Sequence, residues 1–118
     1  MTVIAWDGKT LAADKLCSHG TTRNTVTKIY LVNGLLVGGS GDLGFVNGMV
    51  EWIRGGRILA DFPKAQADKD DWQPMLVIEL DRSISMYDRT PWPVRYEGQF
   101  VALGSGREYA RAAMHLGL

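Results

Sequence analysis

The chain begins with a pattern of apolar and polar positions that predicts two β-hairpins. In each hairpin, two short runs rich in β-forming residues flank a dipeptide that favours a two-residue type I′ turn, Asp7-Gly8 in the first and Asn33-Gly34 in the second. The predicted strands cover residues 2–6, 9–14, 28–32 and 35–38. Residues 15–24 are polar and contain several turn formers, so we predict a loop there.

After residue 41 the apolar spacing changes from that of strands to that of a helix. Apolar side chains at intervals of three and four residues predict a helix that begins near Asp42 and ends at Gly55-Gly56. A shorter second helix is predicted over residues 61–71, with Pro63 in its first turn and Pro74 just beyond its end, and a third from about Arg107 onward.

Strands are predicted again in the second half of the chain, over residues 74–80 and 83–87 and in a last hairpin of residues 94–96 and 99–103. Groups of antiparallel strands that alternate with helices indicate an α+β fold, in which helices cover the outer faces of two sheets. We predict a single domain over residues 1–118. The apolar face of the last helix continues up to Leu118, which suggests that the domain is incomplete at its C-terminus.

Composition excludes several classes of function. Thirteen Lys and Arg residues balance thirteen Asp and Glu residues, so the chain lacks the basic excess typical of nucleic-acid and membrane-surface binders. Its apolar runs are a few residues long, whereas a membrane span needs about 20. One cysteine and two histidines provide no disulfide framework and no histidine-rich metal site, so we expect no cofactor and no metal. No secretory signal is visible, which favours a cytoplasmic protein.

The second residue is a candidate nucleophile. Met1 is normally removed when a small residue such as Thr2 follows it, and its removal would leave a free α-amino group beside the threonine hydroxyl. An α-amino group has a pKa of about 7.7–8.0, so it can accept the hydroxyl proton near neutral pH. This arrangement is the N-terminal form of an activated nucleophile. Met-Thr is also a common start of ordinary proteins, so the dipeptide alone leaves both interpretations open.

Other positions could support such a nucleophile. Asp14 and Lys28 lie beside predicted loops, where a lysine near the hydroxyl would lower its pKa and a carboxylate would keep the lysine charged. The alternative is an ordinary surface ion pair. The glycine-rich turn at residues 38–41 presents backbone N–H groups that could stabilise an oxyanion or bind a phosphate. Ser105 lies in a second such turn, and its spacing to Glu108 is also that of a helix-capping box.

The order of these features resembles that of proteasome β-type subunits, including HslV-like bacterial proteases and small phage-type proteasome-like proteins. The resemblance covers nearly all of the chain. It is carried by five segments in sequence order: Thr2-Val3-Ile4-Ala5, Leu11-Ala12-Ala13-Asp14, Thr25-Val26-Thr27-Lys28-Ile29, Val37-Gly38-Gly39-Ser40-Gly41-Asp42 and Phe100-Val101-Ala102-Leu103-Gly104-Ser105-Gly106. The resemblance implies a four-layer αββα sandwich, the fold of N-terminal nucleophile hydrolases.

The resemblance also implies roles for individual residues. Thr2 corresponds to the family's nucleophile, and Lys28 corresponds to the lysine that lowers the pKa of its hydroxyl. Asp14 matches the acid that orients this lysine. Gly41 matches the glycine whose N–H helps to form the oxyanion hole, and Ser105 matches the serine that lies near the threonine amine and its water.

The activity implied is that of a threonine-type endopeptidase, which hydrolyses peptides or unfolded proteins through an acyl-enzyme. Its partners would be identical subunits in stacked rings and a ring-shaped ATPase. The sequence departs from the family pattern in a shorter first hairpin, in Val3 where a second threonine is frequent, and in the absence of the family's last helix and final strands. A catalytically inactive structural paralogue and an N-terminal-nucleophile amidase acting on a small molecule are the alternative functions.

Overall fold

A computed structural model of the chain describes residues 3–19, 22–39, 43–63, 74–98, 100–104, 110–111 and 113–114. These residues include ten β-strands: β1 Ile4–Trp6, β2 Leu11–Ala13, β3 Leu16–His19, β4 Thr22–Thr25, β5 Ile29–Val32, β6 Leu35–Gly38, β7 Met75–Ile78, β8 Ile84–Tyr87, β9 Val94–Tyr96 and β10 Val101–Leu103. One α-helix, α1, spans Leu43–Arg54, and a single 3-10 turn spans Leu59–Asp61. Residues 110, 111, 113 and 114 are also helical.

All strand pairs are antiparallel, and they form two sheets and a separate hairpin. The larger sheet has five strands in the order β5-β6-β7-β8-β9. The smaller sheet has three strands in the order β10-β1-β2, so its central strand lies near the start of the chain. Strands β3 and β4 pair with each other and connect the two sheets in sequence.

Two layers of apolar side chains hold these elements together. The first lies between α1 and one face of the five-stranded sheet: Val32, Leu35, Val37, Phe45, Val46, Met49, Val50, Trp52, Ile53, Met75, Val77 and Tyr87. The second lies between the two sheets: Ile4, Trp6, Leu76, Ile78, Ile84, Val101 and Leu103. Adjacent residues of β7 point to opposite layers, as the two-residue period of a strand requires. The central strand β7 is therefore buried on both faces.

The predicted four-layer αββα sandwich is wrong. The described residues form a mostly β body in which one helix and two sheets are stacked, and they do not build a second helical layer. The short helix predicted over residues 61–71 begins instead as the 3-10 turn Leu59–Asp61, and Phe62 is already extended. Ile58 and Leu59 are more than half exposed, so this turn has little apolar burial to extend it into a helix. Residues 64–71 of that prediction lie outside the described residues.

The second predicted hairpin and the first helix are confirmed. Val32 pairs with Leu35, which leaves Asn33-Gly34 as a two-residue turn with φ values of 52° and 81°. Asn33 also donates a hydrogen bond from its side-chain amide to the carbonyl of Arg54, 3.1 Å away, at the C-terminal end of α1. The same turn thus closes the hairpin and satisfies a free helix carbonyl.

The first predicted hairpin is confirmed as the antiparallel pair β1–β2, but its turn, a predicted loop and the last predicted hairpin are wrong. Trp6 pairs with Leu11, so the first hairpin has a four-residue loop instead of a two-residue turn. Residues predicted as a loop form β3 and β4, whose backbones pair with each other. β10 pairs with β1 instead of forming a hairpin with β9. Its apolar residues join the core between the sheets, and that burial decides its partner.

Within the part of the chain that the structure describes, no helix has the length and apolar character needed to cross a membrane.

Candidate functional site

Asp14 and Lys28 form an ion pair that joins the two sheets. Lys28 Nζ donates hydrogen bonds to both carboxylate oxygens of Asp14, 3.1 Å to Oδ1 and 3.0 Å to Oδ2. Asp14 directly follows β2 of the smaller sheet, and Lys28 directly precedes β5 of the larger one. Only 3% of the lysine side chain is exposed, against 29% for the aspartate. A positive charge is therefore held almost entirely away from solvent, with its carboxylate partner facing outward.

The same carboxylate holds the start of the chain. The backbone N–H of Val3 donates to Asp14 Oδ1 at 3.0 Å, and the N–H of Asp14 donates to the Val3 carbonyl at 3.2 Å. Val3 directly precedes β1, the central strand of the smaller sheet. Thr2 itself lies outside the described residues, but its Cα is bonded through one peptide to Val3, about 3.8 Å from Cα to Cα. The ion pair is thus anchored to the residue that follows the predicted nucleophile.

Lys28 is also fixed through its backbone to the glycine-rich turn. Its carbonyl accepts a hydrogen bond from the N–H of Gly39 at 3.0 Å, which extends the β5–β6 pairing by one step. A Cβ atom on Gly38 would lie 2.9 Å from Ile4 Cγ2, and one on Gly39 would lie 2.9 Å from Met75 Cε. A Cβ at either position would therefore force a neighbour to move, the branched side chain of Ile4 at Gly38 and the flexible end of Met75 together with Val46 at Gly39. Gly41, the predicted oxyanion-hole residue, lies outside the described residues.

The last predicted site residue follows the strand that pairs with β1. Leu103 of β10 pairs with Ile4, and Gly104 then turns the chain with a φ of 91°. Ser105 comes next in sequence and lies outside the described residues. Of the five predicted site residues, the structure describes Asp14 and Lys28 and brings them into contact across 14 positions of sequence. Their assignment to catalysis stays a prediction.

A second polar cluster, which sequence reasoning missed, lies at the far end of the five-stranded sheet. Arg57 binds both carboxylate oxygens of Glu79, at 2.6 and 3.0 Å, and donates to the Tyr87 hydroxyl at 3.1 Å. The hydrogen bonds that Arg57 donates to the Glu79 carboxylate raise the pKa of Arg57. Partial burial acts to raise the pKa of Glu79, but hydrogen bonds from Arg57 and Ser85 hold it below its ordinary value. No local motif marks this pair, because its members are 22 residues apart.

The Arg57–Glu79 pair lines a cleft of about 560 Å³. Asp81 and Arg95 also line this cleft, so its two positive charges are matched by two negative ones. Because these charges neutralise one another, the cleft does not favour a charged ligand. The Arg57–Glu79 pair also links the segment after α1 to the residue that follows β7. We therefore interpret this cluster as structural. Among the described residues there is no group of three or more His, Cys, Asp or Glu side chains that could hold a metal ion.

Comparisons with known proteins identify a similar fold. No family model matches the sequence. No curated protein sequence matches it. The solved structure of Thiobacillus denitrificans BPH is similar over 98% of this chain and 77% of its own chain, with a TM-score of 0.60 and 18% sequence identity. At this level of identity the likeness concerns the fold alone.

Proposed function

We propose that the protein is an N-terminal threonine hydrolase of the peptidase type, with Thr2 as its nucleophile after removal of Met1. The observation that carries the proposal is the buried Lys28 ammonium, which is paired with Asp14 while Asp14 also binds the N–H of Val3. A positive charge kept this close to the start of the chain would lower the pKa of the threonine hydroxyl. Asp14 would pair with Lys28 and hold it in place.

The proposed reaction has two steps, acylation of the Thr2 hydroxyl and hydrolysis of the resulting ester. The α-amino group of Thr2 accepts the hydroxyl proton, directly or through a water molecule, and Oγ1 attacks the carbonyl carbon of the scissile amide. When the carbon–nitrogen bond breaks, the leaving amine takes that proton and the acyl group stays on Oγ1 as an ester. A water molecule then hydrolyses the ester and restores the threonine. Gly41 would supply an N–H to the oxyanion, and Ser105 would bind the amine and its water.

Substrate and assembly are part of the same proposal. The resemblance to proteasome β-type subunits supports a peptide or unfolded-protein substrate, stacked rings of identical subunits, a ring-shaped ATPase partner and a cytoplasmic location. Sedimentation of the purified protein in an analytical ultracentrifuge tests the assembly. A ring gives an oligomeric species several times the 13.0 kDa chain mass, and a monomer at all concentrations would contradict it.

The chemistry is tested by intact-mass measurement with a peptide β-lactone that acylates N-terminal threonines. We expect loss of Met1 and one adduct that maps to Thr2. Thr2→Ala should abolish the adduct and leave the fold unchanged, and Lys28→Met should slow acylation by several orders of magnitude. Arg57→Met is the matched control, since it removes a cation from the ion pair with Glu79, which follows β7 at the opposite end of the five-stranded sheet from Lys28. Retained Met1 with no adduct, or equal acylation of Lys28→Met and Arg57→Met, would contradict the proposal.

A further inference from the structure

We infer that Tyr30 is a positioning residue for Lys28. Its hydroxyl holds the backbone immediately before that lysine and thereby fixes where the ammonium group lies. This inference rests on the proposed function, because it concerns the same site.

The tyrosine hydroxyl binds the residue next to Lys28 in sequence. Tyr30 Oη donates a hydrogen bond to the carbonyl of Thr27 at 2.9 Å. On the other side of the lysine, the Lys28 carbonyl accepts the N–H of Gly39. The backbone of Lys28 is therefore held from both directions, by the sheet at its own carbonyl and by Tyr30 at the preceding one. Loss of the phenolic O–H would remove the hydrogen bond to the Thr27 carbonyl and leave the sheet contact at the Lys28 carbonyl in place.

Packing of the Tyr30 ring restricts the position of this hydroxyl. Tyr30 lies in β5, pairs with Val37 of β6 and packs half-buried against the core cluster beneath α1. Because burial also raises the pKa of Tyr30 above its ordinary value of 10.0, the phenol remains a hydrogen-bond donor throughout the neutral range. The contact with Thr27 is thus maintained at every pH at which an N-terminal amine could act as the base.

A small displacement of Lys28 would matter to the proposed chemistry. Misplacing a reacting or polarising group by about 1 Å can cost up to a hundredfold in rate. A neutral hydrogen bond contributes about a two- to twelvefold change in the population of the conformation that it holds. Removing the phenolic O–H should therefore slow the reaction by about three- to tenfold and lower the melting temperature by roughly 2–6 °C.

The test compares the rate of β-lactone acylation at Thr2 in the wild-type chain, Tyr30→Phe and Tyr87→Phe. Rates are measured from about pH 6 to 9, a range that brackets the α-amino pKa of about 7.7–8.0. Tyr87→Phe is the control, since it also removes one phenol from the cluster beneath α1 but its hydroxyl binds Arg57. We expect Tyr30→Phe to be slower and to have a displaced pH profile, whereas Tyr87→Phe keeps the wild-type rate and profile.

The possible results separate this inference from the proposed function. If the wild-type chain gives no adduct at Thr2, the proposed function fails and the inference fails with it. If the wild-type chain reacts and Tyr30→Phe matches its rate and pH profile, only the inference is overturned. Tyr30→Leu, which also removes the ring, should show the same displaced profile. A rate loss in Tyr30→Leu but not in Tyr30→Phe would mean that the ring acts by packing alone, which also overturns the inference.

Discussion

Replacing Asp14 with Asn should destabilise the protein more than any change to a surface ion pair. Asparagine has nearly the same shape and keeps a carbonyl oxygen that can accept the N–H of Val3. It removes only the negative charge that faces the Lys28 ammonium at 3.0 and 3.1 Å. The variant therefore leaves a lysine that is 3% exposed beside a neutral amide instead of a carboxylate.

The expected loss follows from the burial of Lys28. Removing one partner of a buried ion pair typically costs about 3–5 kcal/mol, because the remaining charge loses its counter-charge while it stays out of water. Asp14 is partly exposed, so water can approach that side of the pair and the lower end of the range applies. For a chain of this length, about 3 kcal/mol corresponds to a fall in melting temperature of roughly 12 °C.

The assay is urea unfolding followed by fluorescence and by circular dichroism, at several protein concentrations. The concentration series is needed because any self-association would add to the apparent stability. Glu51→Gln provides the matched control, since Glu51 pairs with Arg54 at 3.3 Å and both side chains are more than half exposed. That control should change the free energy of unfolding by less than about 1 kcal/mol.

Two further variants test whether the loss comes from the ion pair. Lys28→Met removes the buried charge itself, so the double variant Asp14→Asn, Lys28→Met should lose less than the sum of the two single losses, by at least about 1 kcal/mol. Strict additivity, or an Asp14→Asn loss no larger than that of Glu51→Gln, would refute the reasoning. In that case the lysine charge would be solvated in the protein in spite of its low exposure.

Two other predictions concern the glycine-rich turn and the second ion pair. Gly39→Ala should cost about 1–3 kcal/mol, because its Cβ would lie 2.9–3.0 Å from buried side chains, whereas Gly55→Ala, with nothing nearer than 3.5 Å, should stay within about 1 kcal/mol of the wild type in urea unfolding. The depressed pKa of Glu79 means that its pair with Arg57 stabilises the fold above about pH 4.5 and loses this contribution as the pH falls through the folded-state pKa. The stability difference between wild type and Arg57→Met should therefore shrink between neutral pH and pH 3 in thermal melts, and an unchanged difference would contradict it.

The sequence was sufficient to predict the elements whose structure depends on residues close to one another along the chain. Asn33-Gly34 specifies its turn because both residues tolerate positive φ, and α1 follows from the spacing of its apolar residues. At Asp7 the same reasoning failed, because the Asp7 carboxylate accepts the N–H groups of Lys9 and Thr10 and so stabilises a longer loop. A turn prediction based on the dipeptide Asp7-Gly8 takes no account of these hydrogen bonds to the Asp7 carboxylate.

Elements defined by distant contacts could not be predicted in this way. The hairpin of β3 and β4 is held by backbone pairing between polar segments, so it shows no apolar alternation. β10 is separated from β1 by most of the chain, and only burial against β1 and the larger sheet decides their pairing. In the candidate site, too, part of the arrangement was predictable from the sequence and part depends on distant contacts. Residue types and order suggested Asp14 and Lys28, but their contact depends on how the two sheets pack.

The position of the ion pair gives the strongest reason to regard it as functional. A buried ion pair is seldom the most stable choice, because desolvation offsets most of the attraction and apolar residues of similar volume often perform as well or better. Lys28 is as buried as the apolar residues of the core, so an apolar side chain of similar length, such as Met, is the alternative at this position. Instead, the chain buries an ammonium group at the point where the backbone of residue 3 is held. If Lys28→Met retains most of the wild-type stability but loses acylation of Thr2, chemistry explains the charge better than folding does.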